Sequence, residues 1–423
     1  MSELKFSADW HDEAVNAAPE ERATVADLRI ELDGQIVSMH LKGKTAVECV
    51  TLPLYSLAEG LIHDWWALFG GRDREFSLVR HRSGFALPDV RMRFDGSVFE
   101  ILAQQRSYRN PDVRFWGGAT EIMGRTEAEA ALANIIEMAL ERLTKREQIG
   151  TSASLRWERV NASREDSDEA AFCEAAGALG LDPYQIDAAA TDTIERASSV
   201  FAEEPLVEFL AGAQATDQVR LMDWIGEVDR RPHFTSRVAE LRALADATAR
   251  TAVCREGEQA WELGYRRAKA FRATANIDEA RRFDGFRSLA EYLGASRSFR
   301  LAPQVNGIRL LRADQDDGSH LHMRVLGETA AHTTSHLFTF ARGVADVVCF
   351  PDPQNSPVNE LHSAYRQAAG RAFAAELLAP VNEILSMMED GRDVVTIADA
   401  LNVSTVVVER QIQNAPRIAA SAA

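Results

Sequence analysis

The apolar period of this chain changes along its length, and that change restricts the class of fold open to it. Leu28 to Leu32 and Ile36 to Leu41 alternate apolar and polar residues around Asp33-Gly34, and Val90 to Phe94 and Val98 to Leu102 do so around Asp95-Gly96. Alternation on both sides of an Asp-Gly pair predicts a β-hairpin, because these residues take the left-handed backbone of a tight turn cheaply. Between the hairpins Leu57, Leu61, Ile62, Trp65, Trp66 and Phe69 recur at helical spacing, ending at Gly70-Gly71 as a C-cap. Adjacent tryptophans cannot both face one core. Trp65 and Trp66 are therefore candidates for an interface, set against a helix buried on two sides. Thr126 followed by Glu129 reads as a capping box opening a long helix from Glu127 to Leu143. Residues 1–150 are expected to form an α+β domain, whose role the residues do not name.

Thr151 to Asp168 is polar with mixed charges and reads as a linker. From Glu169 to about Arg250 the pattern is helical, so residues 151–254 are expected to be a linker and a helical region. Phe172 to Leu181, followed by Asp182-Pro183-Tyr184, has the outline of a short helix-turn-helix. Residues 151–256, however, carry 11 basic against 20 acidic side chains, and a DNA reader needs a basic face. A buried helical hairpin is the expectation there.

At 423 residues the chain is too long for one ordinary domain. Its net charge of −17 favours solubility and argues against a nucleic-acid partner. Cys49, Cys173, Cys254 and Cys349 form no C-x-x-C pair and read as buried thiols in a reducing compartment. The N-terminus has no basic and apolar signal regions, and no run of about 18 apolar residues is available to span a bilayer. The expected location is the cytoplasm, away from any membrane. No P-loop, glycine-rich dinucleotide motif, nucleophile elbow or catalytic cysteine setting is present, and no cofactor is expected.

The last third predicts helices over Gly264 to Ala275 and Gly285 to Gly294, then strands at Gly307 to Arg312 and Leu321 to Val325 across an Asp314–Gly318 turn. Two further stretches follow. One is Phe338-Thr339-Phe340-Ala341-Arg342-Gly343-Val344-Ala345-Asp346. The other is Gly370-Arg371-Ala372-Phe373-Ala374-Ala375-Glu376-Leu377-Leu378-Ala379-Pro380. Together they resemble the two signature helices of the ImmA/IrrE-type zinc metallopeptidases, which read roughly F-T-x-A-H-E-x-x-H and E-x-x-A-N-x-F-A-A-x-L-L-M-P. The resemblance covers roughly residues 255–415 and implies a zincin-like domain over 255–423. The expected fold is thus α+β and mostly helical: an α+β domain, a helical middle, and this C-terminal domain.

The scaffold residues of the family pattern are present and the chemical ones are not. Arg342 stands where the resemblance puts the first zinc histidine, Gly343 where it puts the glutamate base, and Asp346 where it puts the second histidine. Gln367 replaces the acidic third ligand. A guanidinium stays protonated and repels a cation, and glycine offers no base. Arg342 and Asp346, four apart on one helical face, are expected to form an ion pair with Gln367 as hydrogen-bond partner, turning a metal centre into a polar clasp, with a repurposed ligand pocket as the functional alternative. The rival constellation is His332-Thr333-Thr334-Ser335-His336, whose two imidazoles have zincin spacing. Thr333 replaces its base, however, and the threonine-rich run is expected to precede the helix and cap it.

Val395 to Ile412 is similar to a helix-turn-helix, with Asn402 at the turn and Ser404 as N-cap, and a winged-helix-like segment follows the peptidase helices in the family. Its second helix, Val406 to Asn414, holds one Arg against one Glu, too little for phosphate contacts. Active members of the family cut a helix-turn-helix repressor. A member without the metal site implies a non-catalytic regulator that binds such a protein in stress response or in mobile-element and defence control. An active zinc endopeptidase using His332 and His336, and a transcription regulator acting through 395–414, are the alternatives.

Overall fold

The computed structural model describes residues 3–12, 17–109, 113–226, 238–255, 257–278, 281–294, 305–314, 321–326, 333–361 and 364–422. They form an α+β fold with several small antiparallel sheets, in two compact units, Met1–Ile186 and Asp187–Ala423. Among the described residues no helix is long and apolar enough to cross a membrane.

The first unit runs β1 (Leu4–Trp10), α1 (Pro19–Ala23), β2 (Val25–Leu32), β3 (Gln35–Ile36), β4 (His40–Lys42), β5 (Thr45–Val47), β6 (Val50–Pro53), α2 (Tyr55–Gly70), β7 (Glu75–Ser77), β8 (Asp89–Phe94), β9 (Val98–Gln104), β10 (Arg106–Tyr108), β11 (Val113–Phe115), β12 (Ala119–Gly124), α3 (Arg125–Lys145), α4 (Ser152–Glu165) and α5 (Ser167–Ala178). β2 pairs with β1, β3 and β6; the other two sheets run β10-β11-β4-β5 and β12-β9-β8-β7. Both expected hairpins form. Asp33 and Gly34 turn with φ of 49° and 77°, bringing Leu32 opposite Gln35, and Phe94 lies opposite Phe99. The second arm of the first hairpin does not continue from Ile36 to Leu41. Buried Ser38 accepts a hydrogen bond from the Ile30 amide and donates to Glu48 O, and β4 joins another sheet.

Three further expectations for this unit are corrected. The capping box at Thr126 is absent, because α3 starts at Arg125 on Gly124, and Glu129 instead accepts from Arg125 Nε at 2.6 Å. Residues 151–168 are not a linker. Thr151 caps α4 through the Ser154 amide, Asp166 caps α5, and both helices pack on α2. Trp65 and Trp66 are not interface residues, being 1% and 3% exposed. Trp65 meets the Phe69 and Trp157 rings at 5.5 and 5.1 Å, and Trp66 Nε1 donates to the Tyr184 hydroxyl at 3.0 Å. The α4–α5 layer and the turn after it cover the second face of α2, so both tryptophans are enclosed in one continuous core that wraps the helix.

The second unit runs α6 (Ala188–Ser198), α7 (Glu203–Gly212), α8 (Ala215–Gly226), α9 (Val238–Thr251), α10 (Ala260–Thr274), α11 (Phe286–Tyr292), β13 (Ile308–Asp314), β14 (Leu321–Val325), α12 (Thr333–Cys349), β15 (Ser356–Asn359), α13 (Tyr365–Leu378), α14 (Val381–Glu389), α15 (Val394–Leu401) and α16 (Thr405–Ala422). β13 is the central strand of an antiparallel sheet, between β14 and β15. The boundary expected at 254/255 does not separate two bodies, since α7 packs on β15 and α9 on α10 and α12. Both motif stretches are helical, in α12 and α13. The segment between them is not simply a loop, because it supplies β15. Phe271, Phe340, Phe373, Val344 and Leu310 meet in the core between these helices and the sheet. α10 lies so close to α13 that a Cβ on Gly264 would sit 2.4 Å from Ala369 O. Residues 315–318 of the expected turn lie outside the described residues.

Candidate functional site

α12, β15 and α13 bring Arg342, Asp346 and Gln367 into one buried polar layer, though not with the expected pairing. Arg342 does not bond to Asp346. Its Nη2 donates to Asn359 O at 2.6 Å and to Gln367 Oε1 at 2.7 Å. Gln367 Oε1 also accepts from the Asn359 amide, while its Nε2 donates to Glu208 Oε2 at 2.6 Å and Pro357 O at 2.9 Å. One amide side chain therefore joins α7, α12, α13 and β15.

Asp346 has different partners because the opposite strand and helix offer better ones. Its Oδ2 accepts from Arg312 Nη1 at 3.0 Å and Ser356 Oγ at 2.5 Å, and its Oδ1 accepts from Arg366 Nη2 at 2.5 Å. Burial opposes ionisation, but Arg366 and Arg312 hold this carboxyl below the usual range. Arg312 is completely buried and also donates to Asp314 Oδ2 and to the carbonyls of Asp346, Phe350 and Asp352. The sequence reading missed Arg312, Arg366, Glu208 and Asn359. A signal for the first existed: an arginine inside the apolar strand Leu310-Leu311-Arg312-Ala313 has to be paired.

Gly343 faces away from this layer. A Cβ there would lie 2.8 Å from Leu310 Cδ1 and 3.3 Å from Met323 Sδ, both side chains buried in the sheet beneath. His336 does not precede the helix as expected, because α12 begins at Thr333 and places it in the first turn. There it is half-buried, with its ring 6.2 Å from that of Phe286. His332 lies outside the described residues.

The donor set does not fit zinc. A zinc site needs lone pairs from about three N, O or S ligands converging on one point. Arg342 offers only N–H groups, both Asp346 oxygens accept from cations or a hydroxyl, and Gln367 Oε1 already accepts twice. Among the described residues no three His, Cys, Asp or Glu side chains come together as a metal cage. The layer is built to satisfy cations.

Beside it opens a cavity of about 1000 Å³, lined from α10 by Trp261 and Tyr265, from α12 by His336 and Arg342, and from α16 by Arg410 and Gln411. Burial and the neighbouring Arg371 push the Arg342 guanidinium down to about 9, which leaves it charged at neutral pH.

The helix-turn-helix outline over 395–414 is present as α15 and α16, joined through Asn402 in left-handed backbone, φ 53° and ψ 45°. The second helix starts at Thr405, one residue earlier than expected. Its Gln411 is buried, donating to Glu376 Oε2 at 3.2 Å and Ala379 O at 2.8 Å and accepting from the Tyr265 hydroxyl. That face of α16 packs within the unit.

These arrangements predict unequal costs. Arg342→Met removes two hydrogen bonds but also a crowded buried charge, and is expected to change stability by about 1 kcal/mol or less. Gln367→Ala removes four hydrogen bonds at once, to Arg342, the Asn359 amide, Glu208 and Pro357 O, and is expected to cost about 2–3 kcal/mol. Urea unfolding of the two variants checks the order, and an Arg342→Met cost above that of Gln367→Ala contradicts it.

Comparison with protein-family models, with curated proteins and with solved structures finds no match to this chain.

Proposed function

We propose that the protein is a non-catalytic cytoplasmic regulator on an ImmA/IrrE-type frame, which acts by binding another protein, such as a helix-turn-helix regulator, without cutting it. The observation that carries this reading is the bonding of Arg342. A fixed cation occupies the place where the family resemblance puts a zinc ligand, and Gln367 and Asn359 hold it there. Hydrolysis by a zincin needs a metal-bound water and a carboxylate to take its proton. Gly343 supplies no carboxylate, and the one acid on this face, Asp346, is held ionised between two arginines and a serine.

The expected result is less than about 0.1 zinc per chain by elemental analysis, and no cleavage of helix-turn-helix repressors from the same cell, with the full chain capturing one of them intact. One zinc per chain, lost together with proteolysis in His336→Ala, would overturn the reading. So would capture of no protein at all.

A further inference from the structure

We propose that the cavity between α10, α12, α13 and α16 is a binding site for a small organic anion, a phosphate or carboxylate carried on an apolar body. Four arginines, Arg309, Arg342, Arg371 and Arg410, line it against a single carboxylate, Glu360. That balance runs opposite to the whole chain, which bears −17. Glu360 is already committed, accepting from Arg309 Nε at 2.9 Å and Nη2 at 2.5 Å. Glu208, outside the lining, also acts on Arg342 and Arg371, so the four arginines face two carboxylates and the lining keeps a positive balance.

Arg342 is only 7% exposed, yet its Nε–H has no hydrogen-bond partner in the structure. That N–H is sealed from the cavity and Nη2 is committed to Asn359 and Gln367, so Nη1 is the donor Arg342 has left to offer an oxyanion, the partner a guanidinium matches best. Arg371 lies close enough to oppose the charge on Arg342, and burial also holds the Arg371 guanidinium below its ordinary value. An anion shared by the two relieves both. Thr339 and Ser335 add hydroxyls to the same lining.

The remaining wall sets the rest of the ligand. Trp261, Tyr265, Phe338 and Val407 line the cavity, with the Trp261 and Tyr265 rings edge to face at 6.1 Å. A volume of about 1000 Å³ is at the upper end of small-molecule sites, so a charged head alone would leave the apolar wall uncovered. Because Val403, Ser404 and Val407 belong to the α15–α16 segment, a ligand here would tie that segment to α12 and α13.

The inference deepens the regulatory reading and rests on it for what binding accomplishes, but the two fail separately. The test is calorimetric titration of the full chain with AMP, 3-phenylpropionate, inorganic phosphate and, as the uncharged control, adenosine. Saturable binding of AMP or 3-phenylpropionate is expected, at least about tenfold tighter than inorganic phosphate or adenosine. The better of the two identifies phosphate or carboxylate as the head group. Arg342→Met and Arg371→Met are each expected to weaken it by about tenfold or more. Ala375→Phe, which fills the cavity without removing a charge, should abolish it in a chain that still melts cooperatively. No saturable binding of either organic anion at about 5 mM, or binding unchanged in Arg342→Met and Ala375→Phe, overturns the proposal. Such a failure in a zinc-free chain leaves the non-hydrolytic reading standing; zinc in a chain that still binds the anion removes that reading and leaves this one.

Discussion

Replacing Arg312 by methionine is expected to lower the melting temperature of the second unit by about 10 °C or more. The guanidinium is wholly buried and bonds to Asp314, to Asp346 and to three backbone carbonyls. Methionine fills similar space, so the loss is electrical rather than a cavity. Removing one member of a buried charge pair costs about 3–5 kcal/mol, and stranded carbonyls add to it. For a body of this size each kcal/mol is worth about 2–4 °C. Lysine should rescue little, because a single ammonium cannot span acceptors arranged around a planar fork. Calorimetry checks this, and a drop of under about 3 °C would show that the network is not what holds β13 to α12.

The same substitution should raise the pH at which acid unfolding begins. The folded-state pKa of Asp346 lies below its unfolded value, so its contribution is present above about pH 4 and is lost as pH falls through the folded value. Without Arg312 the depression shrinks, and protonation of the folded protein begins earlier.

The second large effect is expected in the first unit, at the crossing of α2 and α5. A Cβ on Gly70 would lie 1.9 Å from Glu174 O, and one on Gly177 would lie 2.4 Å from Trp66 O. Each obstacle is backbone, which no rotamer change removes. Overpacking a core costs about 1–3 kcal/mol and sometimes more, and Gly70→Ala should reach the top of that range by prising the helices apart. Trp66 loses its cover when they part, so tryptophan emission should shift to the red in Gly70→Ala and Gly177→Ala. Parental emission and melting in both variants would refute the crossing.

Gly70 also shows what the sequence could and could not disclose. Its place at the end of a helix was legible from the apolar spacing before it, and α2 does end there. Its purpose was not, because the glycine serves a contact with residue 174, and no local pattern reports a neighbour a hundred positions away. Trp65 and Trp66 were misjudged for the same reason: the polar stretch 151–168 hides the amphipathic helix that buries them. In the candidate site the positions of Arg342, Asp346 and Gln367 on two facing helices were legible from the motif. Their partners were not, since Arg312, Glu208 and Asn359 come from segments that share no spacing with it. The two Asp-Gly hairpins, whose signal is entirely local, were read correctly at their turns.

The seat of Gly343 against β13 has a consequence for redesign. A carboxylate base introduced at that position alone would drive its first carbon into Leu310 and Met323. Clearing the space first, by truncating Leu310, removes a fully buried side chain and costs about 2–5 kcal/mol before any chemistry is gained. Either order passes through a weakened protein, so what limits a larger side chain at position 343 is the sheet beneath the helix rather than the charges above it.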